Sequence, residues 1–180
     1  MLEEKKNMIY LSITNGEIQR WMGKDQPLKT YGKVGGFITG ISSDVRTFDG
    51  EDVKFIFIRM KDDEENYSVQ VPMFTSAGPD IIRCLSYAAK NRMDFVNEAR
   101  ITIEVYQKLK EGKSFTNASL YFGQAKLEWL HLPNGVTREQ GLEQMLGEVK
   151  EYINGLADYN SSNDSVPSGG YHESPFDRHA

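Results

Sequence analysis

Between Met8 and Met22 the apolar residues fall on every second position: Ile9, Leu11 and Ile13 alternate with Tyr10 and Ser12. That period belongs to a strand with one buried face. Asn15-Gly16 follows, a pair suited to the positive φ angles of a two-residue hairpin turn, and Ile18 resumes the pattern. After a loop at Gly23 to Pro27, a long strand is predicted from about Tyr31 to Thr47, with Gly32, Gly35, Gly36 and Gly40 inside it. Glycines within a long strand mark a bulge or a corner where a sheet coils. Asp49-Gly50 is the next turn, Val53 to Met60 the next strand, and Asp62 to Asn66 a charged turn. Tyr67, Val69, Val71 and Met73 complete a three-stranded meander. One of Phe55 and Phe57 is expected to point inward.

At Ser76 the period changes. Ile81, Ile82, Leu85 and Ala89 stand at helical spacing, with Ser76 as candidate N-cap and Pro79 in the first turn. Strand alternation returns at Ile101, Ile103 and Val105, turns at Lys110 to Lys113, and resumes from Leu120 to Leu130. Thr137 to Leu156 is predicted as a second helix. Its stripe is Leu142, Met145, Leu146, Val149, Tyr152, Ile153 and Leu156, and Glu139, Glu143, Glu148 and Glu151 make the opposite face acidic. Beyond Asp158 the apolar pattern stops, and Asn160 to Ser165 and Pro167 to Gly170 are too polar to offset chain entropy. The expected organisation is one folded domain over residues 1–157 and a disordered polar tail over 158–180.

Composition changes this picture in three ways. With 39% hydrophobic residues among 180, the chain can build a real core. No apolar run approaches the roughly 20 residues that span a bilayer, and the N-terminus lacks the apolar region of a secretory signal. The single cysteine, Cys84, cannot form an internal disulfide, so a reducing, cytoplasmic setting is expected. The net charge of −5 hides segregation. Arg20 to Lys61 carries eight bases against five acids, and Arg100 to Lys126 five against two, so the strand-rich parts are basic.

Most chemistries find no residues. A zinc site needs four convergent ligands, whereas His172 and His179 lie in the tail, His131 stands alone and Cys84 is single. Gly32 to Gly40 continues as strand, without the helix or the Gly-Lys-Ser/Thr ending of a phosphate loop. Asp62 to Glu65 lacks the alternating ligands of a calcium loop. No Ser–His–Asp set forms without the tail histidines. Neither an enzyme, a metal nor a cofactor is expected.

A glycine-bent strand, two meander strands, a helix and two final strands follow the order of the OB-fold, a five-stranded Greek-key barrel with its helix between strands three and four. The expected fold is therefore mainly β: such a barrel with an N-terminal hairpin and a C-terminal helix added. Over Tyr31 to Leu130 the chain resembles the single-stranded DNA-binding proteins of that fold, of bacterial and phage type. The tail adds a second likeness, because a polar linker leads to Glu173-Ser174-Pro175-Phe176-Asp177, and bacterial members close in an acidic tip ending Pro-Phe. Here Asp177 to Ala180 follow that pair and acid is sparse.

The resemblance implies binding of single-stranded DNA without strong sequence preference, in support of replication or recombination. Bases stack on rings and phosphates track Lys or Arg in such sites. The rings expected to stack are Trp21, Tyr31, Phe48 and Tyr106, and the phosphate contacts Lys33, Arg46, Arg59, Lys61 and Lys108. Pro175 and Phe176 would dock replication or repair partners, and self-association is left open. The rival reading is a protein–protein adaptor that uses the barrel and the C-terminal helix. A carbohydrate-binding barrel is a third.

Overall fold

The structure, a computed structural model, describes residues 7–164. Nine strands and two helices follow one another along the chain. They are β1 (Met8–Thr14), β2 (Glu17–Arg20), β3 (Lys29–Tyr31), β4 (Lys33–Phe48), β5 (Glu51–Lys61), β6 (Asn66–Pro72), α1 (Gly78–Lys90), β7 (Ile101–Lys110), β8 (Lys113–Phe122), β9 (Ala125–Lys126) and α2 (Arg138–Asp164). The fold is mainly β, with α1 between the third and fourth strands of the segment β4–β8.

The strands form one mixed sheet in the order β3-β2-β1-β6-β5-β4-β7-β8-β9. This corrects the expectation of a closed five-stranded barrel: among the described residues the sheet has nine strands, and no strand pair joins its ends. The cause lies in the N-terminal hairpin. β1 pairs in parallel with β6, Leu11 opposite Val69, and so occupies the edge through which five strands could close. Side-chain bonds instead link the hairpin to the far half of the sheet. The hairpin tip sits against β7 and β8, where Gly16 donates its N–H to Thr116 Oγ1 (2.9 Å) and Gln107 Nε2 donates to the Asn15 carbonyl (2.8 Å).

β4 is the spine. Its first residues pair with β7, Lys33 opposite Glu104 to Gly36 opposite Ile101, and from Phe37 onward it pairs with β5. At the handover a Cβ on Gly36 would lie 2.7 Å from the Lys61 carbonyl oxygen, so the backbones approach as only glycine permits. The register slips between Ile38 and Gly40, a bulge that bends the strand.

Alternation then sorts the side chains. Ile56, Ile58 and Met60 of β5 face inward with Ile38, Ile41, Val69 and Val71, and join Ile9, Leu11, Ile101, Ile103 and Leu120 in one core. Each such side chain fully buried contributes about 1.5–3 kcal/mol. Phe55 and Phe57 are two residues apart and so share one face of β5; Phe55 is buried there and Phe57 half-buried, so one of the two rings is buried as expected although they do not face opposite ways.

Three further boundaries differ from expectation. α1 is capped by Ala77 without a side-chain bond, while Ser76 adopts a φ of 58°. β8 starts directly after the Glu111-Gly112 turn and ends at Phe122, so the strand expected over Leu120 to Leu130 is mostly irregular chain. α2 continues to Asp164, which makes Asp158 to Asp164 helical rather than tail. The rest of the expected disordered tail, with Pro175 and Phe176, lies outside the described residues.

Candidate nucleic-acid interface

The outer face of β1, β6, β5 and β4 is laid out in rows by the strand register. Tyr10, Ser68, Arg59 and Gly40 form one row; Ser12, Gln70, Phe57 and Ser42 the next; Met8, Asn66, Lys61 and Phe37 a third on the other side. Successive rows on one face are about 7 Å apart, and neighbouring strands about 4.8 Å. Serine and glycine at the row positions keep the floor low. At Gly40 the Arg59 side chain lies so near that a Cβ would come within 2.9 Å of its Nη2.

The β1–β2 register ends with Leu11 opposite Arg20; Tyr10 is the next residue on β1, and Trp21 follows directly after the end of β2. Both are far more exposed than packing residues, at 71% and 70%. Toward the Asp49-Gly50 turn, Arg46 sets its guanidinium 4.8 Å from the centre of the Phe57 ring and donates to Gln70 Oε1 (3.1 Å). Phe48, exposed, meets Phe55 edge-on with ring centres 5.6 Å apart. Arg100 lies over Phe37 at 5.6 Å and pairs with Asp63. Among the described residues, Arg46, Arg59 and Lys61 make no ion pair. Rings and unpaired cations therefore interleave on one open surface.

The nine residues expected to bind fall in three places. Trp21, Arg46, Phe48, Arg59 and Lys61 belong to this face or its margin. Tyr31 and Lys33 line a cleft of about 240 Å³ at the mouth of the sheet, with Arg20, Asp62, Glu65 and Tyr67. There Asp62 Oδ1 accepts the backbone N–H groups of Glu64 (3.0 Å) and Glu65 (2.8 Å), which hold its carboxyl below the usual range. The Tyr67 hydroxyl, 3.0 Å from Asp62 and 2.9 Å from Glu65, donates to these carboxylates. Burial, and then those two acids, raise its pKa. Tyr106 and Lys108 lie on β7, exposed, beside Asn117 and Phe115 of β8 and away from the rows.

Three rings that matter here, Tyr10, Phe37 and Phe57, were missed among the expected binders. Tyr10 was readable only as the polar side of an alternating strand, although its place opposite Ile9 and Leu11 already put it outside. Phe57 shares a face with Arg59, a relation that the two-residue period also contains. Among the described residues no group of three or more His, Cys, Asp or Glu side chains could hold a metal ion. None of their helices is long and apolar enough to cross a membrane. No protein-family model, curated protein or solved structure matches the chain.

Proposed function

We propose that this chain binds single-stranded DNA without strong sequence preference, across the outer face of β1, β6, β5 and β4, in support of replication or recombination in the cytoplasm. The observation that carries the reading is the interleaving of exposed or half-exposed rings (Tyr10, Trp21, Phe37, Phe57) with Arg46, Arg59 and Lys61, which make no ion pair among the described residues. Rings offer stacking surfaces that accept any base, and the cations take the phosphates between. Arg46, already placed over Phe57 and steadied by Gln70, needs little ordering to grip a backbone oxygen.

The segment β4–β8 supports the same reading as a variant of the OB-fold. Its strand and helix order agrees with that fold, its long first strand pairs on both sides, and the face of its second and third strands is where such barrels take oligonucleotides. The β1–β2 hairpin widens that face by adding Tyr10 and Trp21 beside β6.

The test is a titration of fluorescent oligo-dT at two salt concentrations. Binding should weaken steeply with salt, because phosphate contacts release counterions, and duplex of the same length should bind less. Flat anisotropy at low salt, up to tens of micromolar protein (about the ceiling for useful non-specific affinity), sinks the proposal and favours an adaptor that holds a partner chain on this face.

A further inference from the structure

Two residues past Pro72, where β6 ends, Phe74 packs against the core and lines a second groove of about 530 Å³. Lys108 and Lys110 of β7, Phe115 of β8 and Arg138 at the start of α2 form its walls. Among the described residues no acidic side chain lines it. Among the described residues none of these three cations is ion-paired.

Arg138 is the informative member. It occupies the first residue of α2, where the helix dipole is positive and a cation is disfavoured. Thr137 and Gln140 already close that terminus reciprocally, Gln140 N–H to Thr137 Oγ1 (3.2 Å) and Thr137 N–H to Gln140 Oε1 (3.0 Å). Arg138 is therefore not needed as a cap. Its Nη1 donates to the Phe74 carbonyl (2.7 Å), which fixes the guanidinium at the groove. An arginine held at the groove and two lysines without an ion pair among the described residues give it a cationic lining, and two half-exposed or exposed rings line the same space.

We infer that a DNA strand lying on the sheet continues past Pro72 into this groove, where Lys108, Lys110 and Arg138 hold its phosphates and Phe74 and Phe115 flank its bases. The inference rests on the single-stranded DNA reading and deepens it: the site has two segments, the sheet face and the groove, and only a longer strand fills both. The groove is assembled from the segment between β6 and α1, from β7 and β8, and from the start of α2, so the C-terminal helix becomes part of the binding surface.

The experiment uses the full chain with oligo-dT of about 6 and about 16 nucleotides, within the span of site sizes for one such fold. Lys108→Gln with Lys110→Gln, both on exposed strand positions, should weaken binding of the shorter oligonucleotide less than that of the longer one. The longer one should lose about one unit of salt slope for each cation removed. Arg138→Gln should act in the same length-dependent way. If the short oligonucleotide binds and the double variant changes neither length, or weakens both equally, the groove is not a second segment and the inference is overturned while the sheet-face reading stands. If the unaltered chain binds neither length, the sheet-face reading falls first and takes the inference with it. A polyglutamate peptide that binds the unaltered chain but not the double variant, with no length effect for DNA, overturns it in favour of an acidic polypeptide.

Discussion

Phe57 and Arg59 stand two residues apart on β5 and divide the work of the proposed site. Phe57→Ala removes a ring beneath Arg46 and should weaken oligo-dT binding by about 1–3 kcal/mol with the salt slope unchanged. Tyr10→Ala, at a more exposed ring, should do the same without affecting the fold. Arg59→Gln should instead lower the slope by about one unit. Equal slope changes in all three variants would show that the rings do not stack. Gly78 is a residue whose importance is purely steric. A Cβ there would lie 1.9 Å from the Pro72 carbonyl oxygen and 2.9 Å from that of Met73. Backbone cannot yield as a side chain can, so Gly78→Ala should cost about 1–3 kcal/mol in denaturant unfolding, the usual range for overpacking. An unchanged midpoint would mean that α1 shifts freely.

At the scale of elements, the β1–β2 hairpin determines the shape of the sheet. Its parallel pairing with β6 extends the sheet, and its tip bridges to β7 and β8 through the bonds at Gly16 and Asn15. Thr116→Val keeps the side-chain shape but removes the acceptor of the Gly16 N–H. The expected loss is about 0.5–1.5 kcal/mol, felt as faster hydrogen exchange in β2 while the β4–β5–β6 strands stay protected. Uniform acceleration over the whole sheet would instead make the tip contact part of the global fold. α1 is tied to β8 differently: buried Asp80 accepts the Ala118 N–H and the Asn117 side-chain N–H, both at 3.0 Å. That carboxylate also sits in the first turn of α1, where the helix dipole favours it.

The whole molecule carries an alkaline limit. Burial pushes the Cys84 thiol up to about 12 from 9.0 and raises the Tyr67 and Tyr152 phenols above 10.0. Tyr152 donates to the Met93 carbonyl (2.8 Å) and so links α2 to the chain after α1. In each case the folded pKa exceeds the unfolded one. The neutral forms therefore stabilise the fold fully below about pH 9, and that stability is lost as pH rises, because the unfolded chain ionises first. The melting temperature should decline from about pH 9 upward, and Tyr152→Phe should flatten part of the decline. A flat profile to pH 11 would contradict the burial of these groups. At neutral pH the Cys84 thiol should resist alkylation until the chain unfolds.

Local pattern alone determined much of this protein. The period-2 runs and the Asn15-Gly16 and Asp49-Gly50 turns placed the meander, and the change of period at Ser76 placed α1, because backbone turn chemistry and alternation act between near neighbours. Trp21, Phe48, Arg59 and Lys61 could be proposed from polar surroundings and turn proximity for the same reason. Which strand joins which was decided only in three dimensions. Nothing near Ile9 or Val69 announces their strands' parallel pairing, since it depends on burying both apolar faces at once. The short β3 and β9 exist only because a neighbour offers unpaired backbone groups. The gathering of Tyr10, Trp21, Phe57 and Arg46 on one surface, and of Phe74, Lys108 and Arg138 in one groove, follows from register and from where α2 docks. Contacts between residues far apart in the chain set both, and no local period encodes them.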